Sequence, residues 1–252
     1  MIIDRDWTGK NVLVTGGSSE TGPFICREFA DAGANIATTW FSNQSGVEEV
    51  GQHVRDRGGE FHAVHLDLLC QASIDKLIAD IQALWQQLDV MILCCGSKGL
   101  RPFRTLSREQ LDIAIDGNLK GNFIFAQRLG YWMKESESMG RIIQLTAMSA
   151  DNSSHSAYGL AKAAQNDMAG FLAYHLAPEV TFNTIAPITI EQDPDVETPP
   201  ADPGPLGRRV HAREIARLCR LMCDPAFDTV TGEIIRMDAG RHVDTAFPKE
   251  MT

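Results

Sequence analysis

NVLVTGGSSETGPFICREFADAG, residues 11–33, passes from an apolar run through a glycine-rich turn into a helix-period segment. NVLVTG (11–16) is short, continuous and valine-rich, which suits a strand covered on both faces. Gly22-Pro23 places a helix start directly after the turn. The glycines permit a tight turn and close approach of the backbone to an anion, and the helix N-terminus favours negative charge. Such a turn commonly cradles a dinucleotide pyrophosphate, although Gly-Ser turns are frequent and this one decides nothing alone. Glu20 stands inside it, where a small residue would let an anion approach.

Outward from this unit the same alternation repeats. ANIATTW (34–40), EFHAVHL (60–66), DVMILCC (89–95), GRIIQLTA (140–147), EVTFNTIA (179–186) and GEIIRMD (232–238) read as further strands. Helix-period segments lie at 22–33, 45–57, 71–87, 107–134, 156–176 and 211–223. Alternating strand and helix predict one α/β domain over 1–252. Its fold class is a Rossmann-type, doubly wound parallel sheet of about seven strands with helices on both faces. The Pro- and Asp-rich stretch 191–207 lacks either period and reads as a short substrate loop.

The 252 residues suffice for one sizeable core. A net charge of −10 argues against a nucleic-acid partner and offers no basic patch to a membrane surface. No apolar run reaches signal-peptide or spanning length, so a cytoplasmic location is expected. The six cysteines are scattered in apolar contexts. Cys219 and Cys223 have no second pair at ligand spacing, so free thiols and no metal site are expected.

Ligands of open α/β sheets bind beyond the carboxyl ends of the strands. That rule singles out Gly16, Ser18, Ser19, Glu20, Thr21 and Gly22 after the first strand, and Trp40, Phe41 and Ser42 after the second. Asp67 and Leu68 follow the third, Cys95, Gly96 and Ser97 the fourth, and Pro187, Ile188 and Ile190 the sixth. Tyr158 and Lys162 lie four apart on one helix face just after the fifth strand. A phenol of pKa near 10 handles protons poorly at neutral pH unless a cation steadies its anion, and lysine one turn away supplies that charge.

With these elements the chain resembles the short-chain dehydrogenase/reductase family over nearly its whole length. The likeness is carried by Thr15-Gly16…Gly22, Asp67-Leu68, Gly96, Asn118 in DGNLKG, Tyr158…Lys162, FNTIAP (182–187) and TGEIIRMDAG (231–240). The resemblance implies hydride transfer with a nicotinamide cofactor held by the strand-end residues above. It implies Tyr158 as acid/base, Lys162 as the group that lowers its pKa and binds ribose, and Asn118 as holder of a proton-relay water. It also implies a homotetramer or homodimer packed through 107–134 and 156–176.

Departures from the family pattern carry more information. The catalytic serine position falls on Ala147, flanked by Thr146 and Ser149. The usual Asn-Asn-Ala-Gly is Leu93-Cys94-Cys95-Gly96, and Ile188 replaces a glycine. No acidic residue ends the second strand, which disfavours NAD(H). Ser42, Asn43 and Gln44 could bond a 2′-phosphate, so NADP(H) is favoured, although the arginine common in such segments is missing. The last third, HLAPEVTFNTIAP (175–187) and DAGRHV (238–243), is most similar to dihydromonapterin and pteridine reductases.

A carboxylate ~5 Å from a phosphate repels it by roughly 3 kcal/mol at an effective dielectric near 20. Glu20 therefore turns to solvent, or leans over the cofactor toward a cationic substrate, or marks a loop that has lost its cofactor. The leading expectation is an NADP(H)-dependent reductase of a small-molecule C=N or iminium group, or of a ketone on an amine-bearing molecule. Glu20, Ser97, Ala147 and Ser149 are expected near that substrate. The alternatives are an ordinary ketone reductase using Thr146 or Ser149, and a non-catalytic NADP(H)-sensing protein.

Overall fold

The structure is a computed structural model and describes residues 6–97, 103–136, 138–147, 156–188, 190–191 and 205–244. Seven strands form one parallel sheet. They are β1 (Asn11–Thr15), β2 (Asn35–Trp40), β3 (Phe61–His65), β4 (Val90–Leu93), β5 (Gly140–Leu145), β6 (Val180–Pro187) and, after two short strands, β9 (Ile234–Met237). The spatial order is β3-β2-β1-β4-β5-β6-β9, so the chain reverses its direction of travel across the sheet between β1 and β4. In a doubly wound sheet that switch point opens a crevice at the strand ends.

Alternation within the strands builds two cores. Leu13, Met91, Ile142 and Phe182 point to one face, covered by α3 (Gln71–Leu84), α5 (Gly121–Lys134) and α6 (Ala157–Leu176). Val12, Val14, Ile92, Ile143 and Ile185 point to the other, covered by α1 (Gly22–Ala30), α2 (Ser45–Asp56) and α7 (Ala212–Leu221). Each fully buried aliphatic or aromatic chain contributes roughly 1.5–3 kcal/mol. Cys26, Cys219 and Cys223 are buried in the second core.

The expected helix at 107–134 is three segments. α4 (Arg108–Ile115) starts at a capping box made by Ser107 and Gln110. A π-helical turn follows at Asp116–Lys120, and α5 continues from Gly121. The apolar period runs through the join and hides it. The glycines at the join reveal it: a Cβ on Gly117 would lie 2.8 Å from Ser97 Oγ, and one on Gly121 2.7 Å from Leu68 Cδ2. The expected loop at 191–207 also has an ordered edge, because β7 (Ile190–Glu191) pairs in parallel with β8 (Val210–His211). Residues 192–204 of that loop, and Ser149, lie outside the described residues. A short α8 (Arg241–Asp244) follows β9.

Candidate active site

A cavity of about 610 Å³ occupies the crevice at the strand ends. Its floor is the glycine-rich turn. β1 ends at Thr15, whose Oγ1 accepts the N–H groups of Cys94 and Cys95 at 3.0 and 3.3 Å and so ties β1 to the end of β4. Gly16 has φ +80°, and its N–H donates to Thr39 Oγ1 at 2.8 Å. A Cβ at Gly17 would meet Thr38 Oγ1 at 2.1 Å, and one at Gly22 would meet the Gly16 carbonyl oxygen at 2.1 Å. The turn closes only because these positions lack side chains. Thr21, which precedes α1, makes no side-chain cap, but Ser19 Oγ accepts from the Gly22 N–H at 3.1 Å, and the positive end of the helix dipole lies at the cavity.

One end of the cavity is lined by Trp40, Phe41, Ser42, Asp67 and Leu68. The Trp40 ring meets His65 edge-on at 4.8 Å, and Phe41 is exposed. Asn43 lines this end too, but its Oδ1 accepts from Ser45 Oγ and Gly46 N and so shapes the start of α2. Gln44 does not line the cavity and serves as the residue preceding that helix.

The other end holds Tyr158 and Lys162 on α6, a helix whose first turn is capped by Ser156 Oγ accepting from Gly159 N. Lys162 is 4% exposed, donates from Nζ to the Leu145 carbonyl at 3.1 Å, and lies 5.6 Å from the centre of the Tyr158 ring. Burial pushes the Lys162 ammonium down to about 8, against a smaller upward pull from the Cys94 and Cys95 thiols. Tyr158 is pushed up, first by burial and then by the negative charge of Glu20. The shift runs opposite to the lowering expected from Lys162, and Tyr158 is held in its proton-donating form at neutral pH. Glu20 is exposed and lines the same cavity.

Asn118 sits in the π turn behind the cavity wall rather than on it. Its Nδ2 donates to Ser97 O, Ser97 Oγ and Ala114 O at 3.0, 3.0 and 2.8 Å. Its Oδ1 is buried without a hydrogen-bond partner among the described residues. A Cβ on Gly96 would lie 2.3 Å from that oxygen and 3.6 Å from Lys162 Nζ, so both atoms converge on Gly96.

The expected residues Gly16, Ser18, Ser19, Glu20, Thr21, Cys95, Gly96, Ser97, Pro187 and Ile190 share this cavity with those above. Gly22, Ile188 and Ala147 do not line it. Gly22 packs beneath the turn, Ile188 packs into the second core while its N–H donates to Met237 O, and Ala147 is half-buried beside the wall. Thr146 is the described hydroxyl next to the serine position that does line the cavity. It is 5% exposed, and its Oγ1 has no hydrogen-bond partner among the described residues.

Thr39, Leu66, Leu69, Cys94, Gly117 and Leu145 also line the cavity and were not singled out. Most of them end a strand or adjoin a chosen residue, so a wider window at each strand end would have found them. Gly117 needed the π turn. Burial raises the Cys94 thiol and takes Cys95 to about 11, so both present a neutral wall.

A family model described as enoyl-(acyl carrier protein) reductase matches residues 21–242. The 3-oxoacyl-(acyl-carrier-protein) reductase of Aquifex aeolicus is 27% identical over 242 residues, covering 92% of this chain and 97% of the relative. A tropinone reductase homolog of Arabidopsis thaliana is 26% identical over 244 residues, covering 92% and 90%. Among solved structures, an acetoin dehydrogenase from Enterobacter cloacae superposes with a TM-score of 0.87 at 26% identity, covering 95% of this chain and 97% of that one.

Proposed function

The chain belongs to the short-chain dehydrogenase/reductase family, and from that premise we propose an NADP(H)-dependent reductase acting on a small, cationic molecule. The reducible group is a C=N or iminium bond, or a ketone carried by an amine-bearing substrate. The observation that carries this reading is Glu20: an exposed carboxylate lines the cavity that holds Tyr158, and its charge is felt at the phenol.

The residues present fit a dinucleotide. The cavity is of ligand size, its floor is side-chain-free glycine, and the N-terminus of α1 faces it. Trp40, Phe41 and Ser42 would hold the adenosine end, where the lack of a carboxylate at 40–43 favours a 2′-phosphate. Gly16, Ser18, Ser19 and Thr21 would hold the pyrophosphate, and Lys162 the ribose beside the nicotinamide. When bound, the reduced cofactor supplies hydride.

Tyr158, kept protonated, donates its proton to a carbonyl oxygen or imine nitrogen as that atom gains electrons. An iminium carbon is already electrophilic and needs no donor to steady an oxyanion, which suits Ala147 at the serine position. Glu20 would pair with the positive nitrogen and offset its desolvation. The likeness of residues 175–187 and 238–243 to pteridine reductases points to the same bond type.

Thr146 supports a second reading, an ordinary ketone reductase, because its buried Oγ1 has no hydrogen-bond partner among the described residues and lies at the cavity wall. Consumption of NADPH and NADH with tropinone, an N-methyl cyclic iminium ion and cyclopentanone separates the two. The proposed function predicts turnover with NADPH in preference to NADH, and of the two cationic probes over cyclopentanone. Turnover confined to cyclopentanone contradicts it. Thr146→Val should leave iminium turnover unchanged; a loss of about 100-fold with ketones alone favours the second reading.

A further inference from the structure

Two glutamine side chains lie wholly inside the protein between the sheet and α6. Gln144 on β5 and Gln165 on α6 are both 0% exposed. A buried amide is costly unless it is bonded, and apolar residues would fill the same space without that cost. Their bonds are specific. Gln144 Nε2 donates to the Gln165 carbonyl at 2.9 Å, and Gln165 Nε2 donates to the Asn118 carbonyl at 3.0 Å. Asn122 Nδ2 reaches the same Asn118 carbonyl at 2.6 Å, but Asn122 belongs to the helix that continues from the π turn. Among the described residues, Gln165 supplies the hydrogen bond that ties the Asn118 backbone to α6.

α6 also carries Tyr158 and Lys162, and Gln165 lies one turn beyond Lys162 on the same face. The Asn118 amide nitrogen is spent on Ser97 and Ala114, which fixes the amide orientation and leaves Oδ1 facing Gly96 beside Lys162 Nζ. The π turn holding Asn118 is an intrinsically poor helical geometry, so something must keep it in register with the next helix.

We propose that Gln165 is a positioning residue: it clamps the π turn to α6 so that Asn118 Oδ1 stays turned toward the Lys162 ammonium. Oδ1 is then an acceptor for Lys162 through one water, beside Leu145 O, the acceptor the ammonium has among the described residues. Among the described residues, the remaining titratable groups around Lys162 are the Tyr158 phenol one turn back and the Cys94 and Cys95 thiols at the end of β4. None of them changes when Gln165 is replaced. The inference rests on Tyr158, Lys162 and Asn118 being the proton-handling set, but its test needs no substrate.

Lysine labelled with heavy carbon at Cε reports the Lys162 titration by NMR, with the signal assigned by its loss in Lys162→Met. In Gln165→Met the length of the side chain is kept, Asn118 O retains Asn122, and Gln144 retains the Gln165 carbonyl. The expected result is a Lys162 midpoint lower than in the unmodified chain by about half a pH unit or more, with thermal unfolding little changed. Should that variant fold poorly, Gln165→Asn, too short to reach the Asn118 carbonyl, should lower the midpoint likewise. An unchanged midpoint in a folded Gln165 variant overturns the inference. Asn118→Ala distinguishes the levels. If it moves the Lys162 midpoint and the Gln165 variant does not, only the clamp is wrong. If neither moves it, the proton-handling set itself is wrong.

Discussion

Lys162 shows how one residue can be set against the stability of its fold. An unfolded lysine keeps its proton to about the usual 10.5, whereas the buried one releases it near about 8. Between those values the unfolded chain binds the extra proton, so stability rises as pH climbs through that window. Below it, burial of the ammonium costs roughly 3 kcal/mol. Lys162→Met should therefore abolish turnover yet raise the Tm at pH 7 by several degrees, a gain that shrinks toward pH 10. Calorimetry across that range checks this, and a Tm lowered at neutral pH would contradict it.

Residue types at the site were legible where chemistry demands them, as with Tyr158 and Lys162. They were less so where geometry chooses between neighbours. Thr146 rather than Ala147 lines the wall because strand end and turn decide which side chain faces the crevice, and no periodicity reveals that. The direction of the Tyr158 shift was also hidden, since it depends on burial and on where Glu20 sits.

At the scale of elements, the glycine-rich turn and the broken helix behave differently. The turn could be read from its spacing because glycine is required for steric reasons. A Cβ at Gly22 meets the Gly16 carbonyl, a backbone atom that cannot swing aside. Gly22→Ala should accordingly destabilise the fold by about 1–3 kcal/mol and weaken NADPH binding by at least about tenfold. Urea unfolding and fluorescence titration measure both, and wild-type values in each would refute the steric account. The π turn at Asp116–Lys120 escaped notice because hydrophobic period and helix propensity continue across it. Only its tertiary neighbours, Ser97, Leu68 and Gln165, make the irregularity necessary.

For the molecule as a whole, the alternation of strand and helix sufficed to anticipate a parallel sheet of about seven strands with helices on both faces. Connection handedness and the need to cover both faces leave few other arrangements. Assembly is a separate matter. Tyr131, Leu160, Phe171 and Tyr174 are exposed on α5 and α6, and the Phe171 ring lies 6.2 Å from that of Phe123. Those faces are where we propose that copies of the chain pack. Light scattering should give a dimer or tetramer that Phe171→Glu dissociates; a monomeric wild type would rule this out.

The central claim, that Glu20 recognises positive charge on the substrate, is tested most directly by one ratio. It is kcat/KM for the N-methyl cyclic iminium ion over that for cyclopentanone, measured with NADPH in the wild type and in Glu20→Gln. Loss of the carboxylate should lower this ratio by about tenfold or more, through KM for the cation. An unchanged ratio in the two proteins would contradict the account.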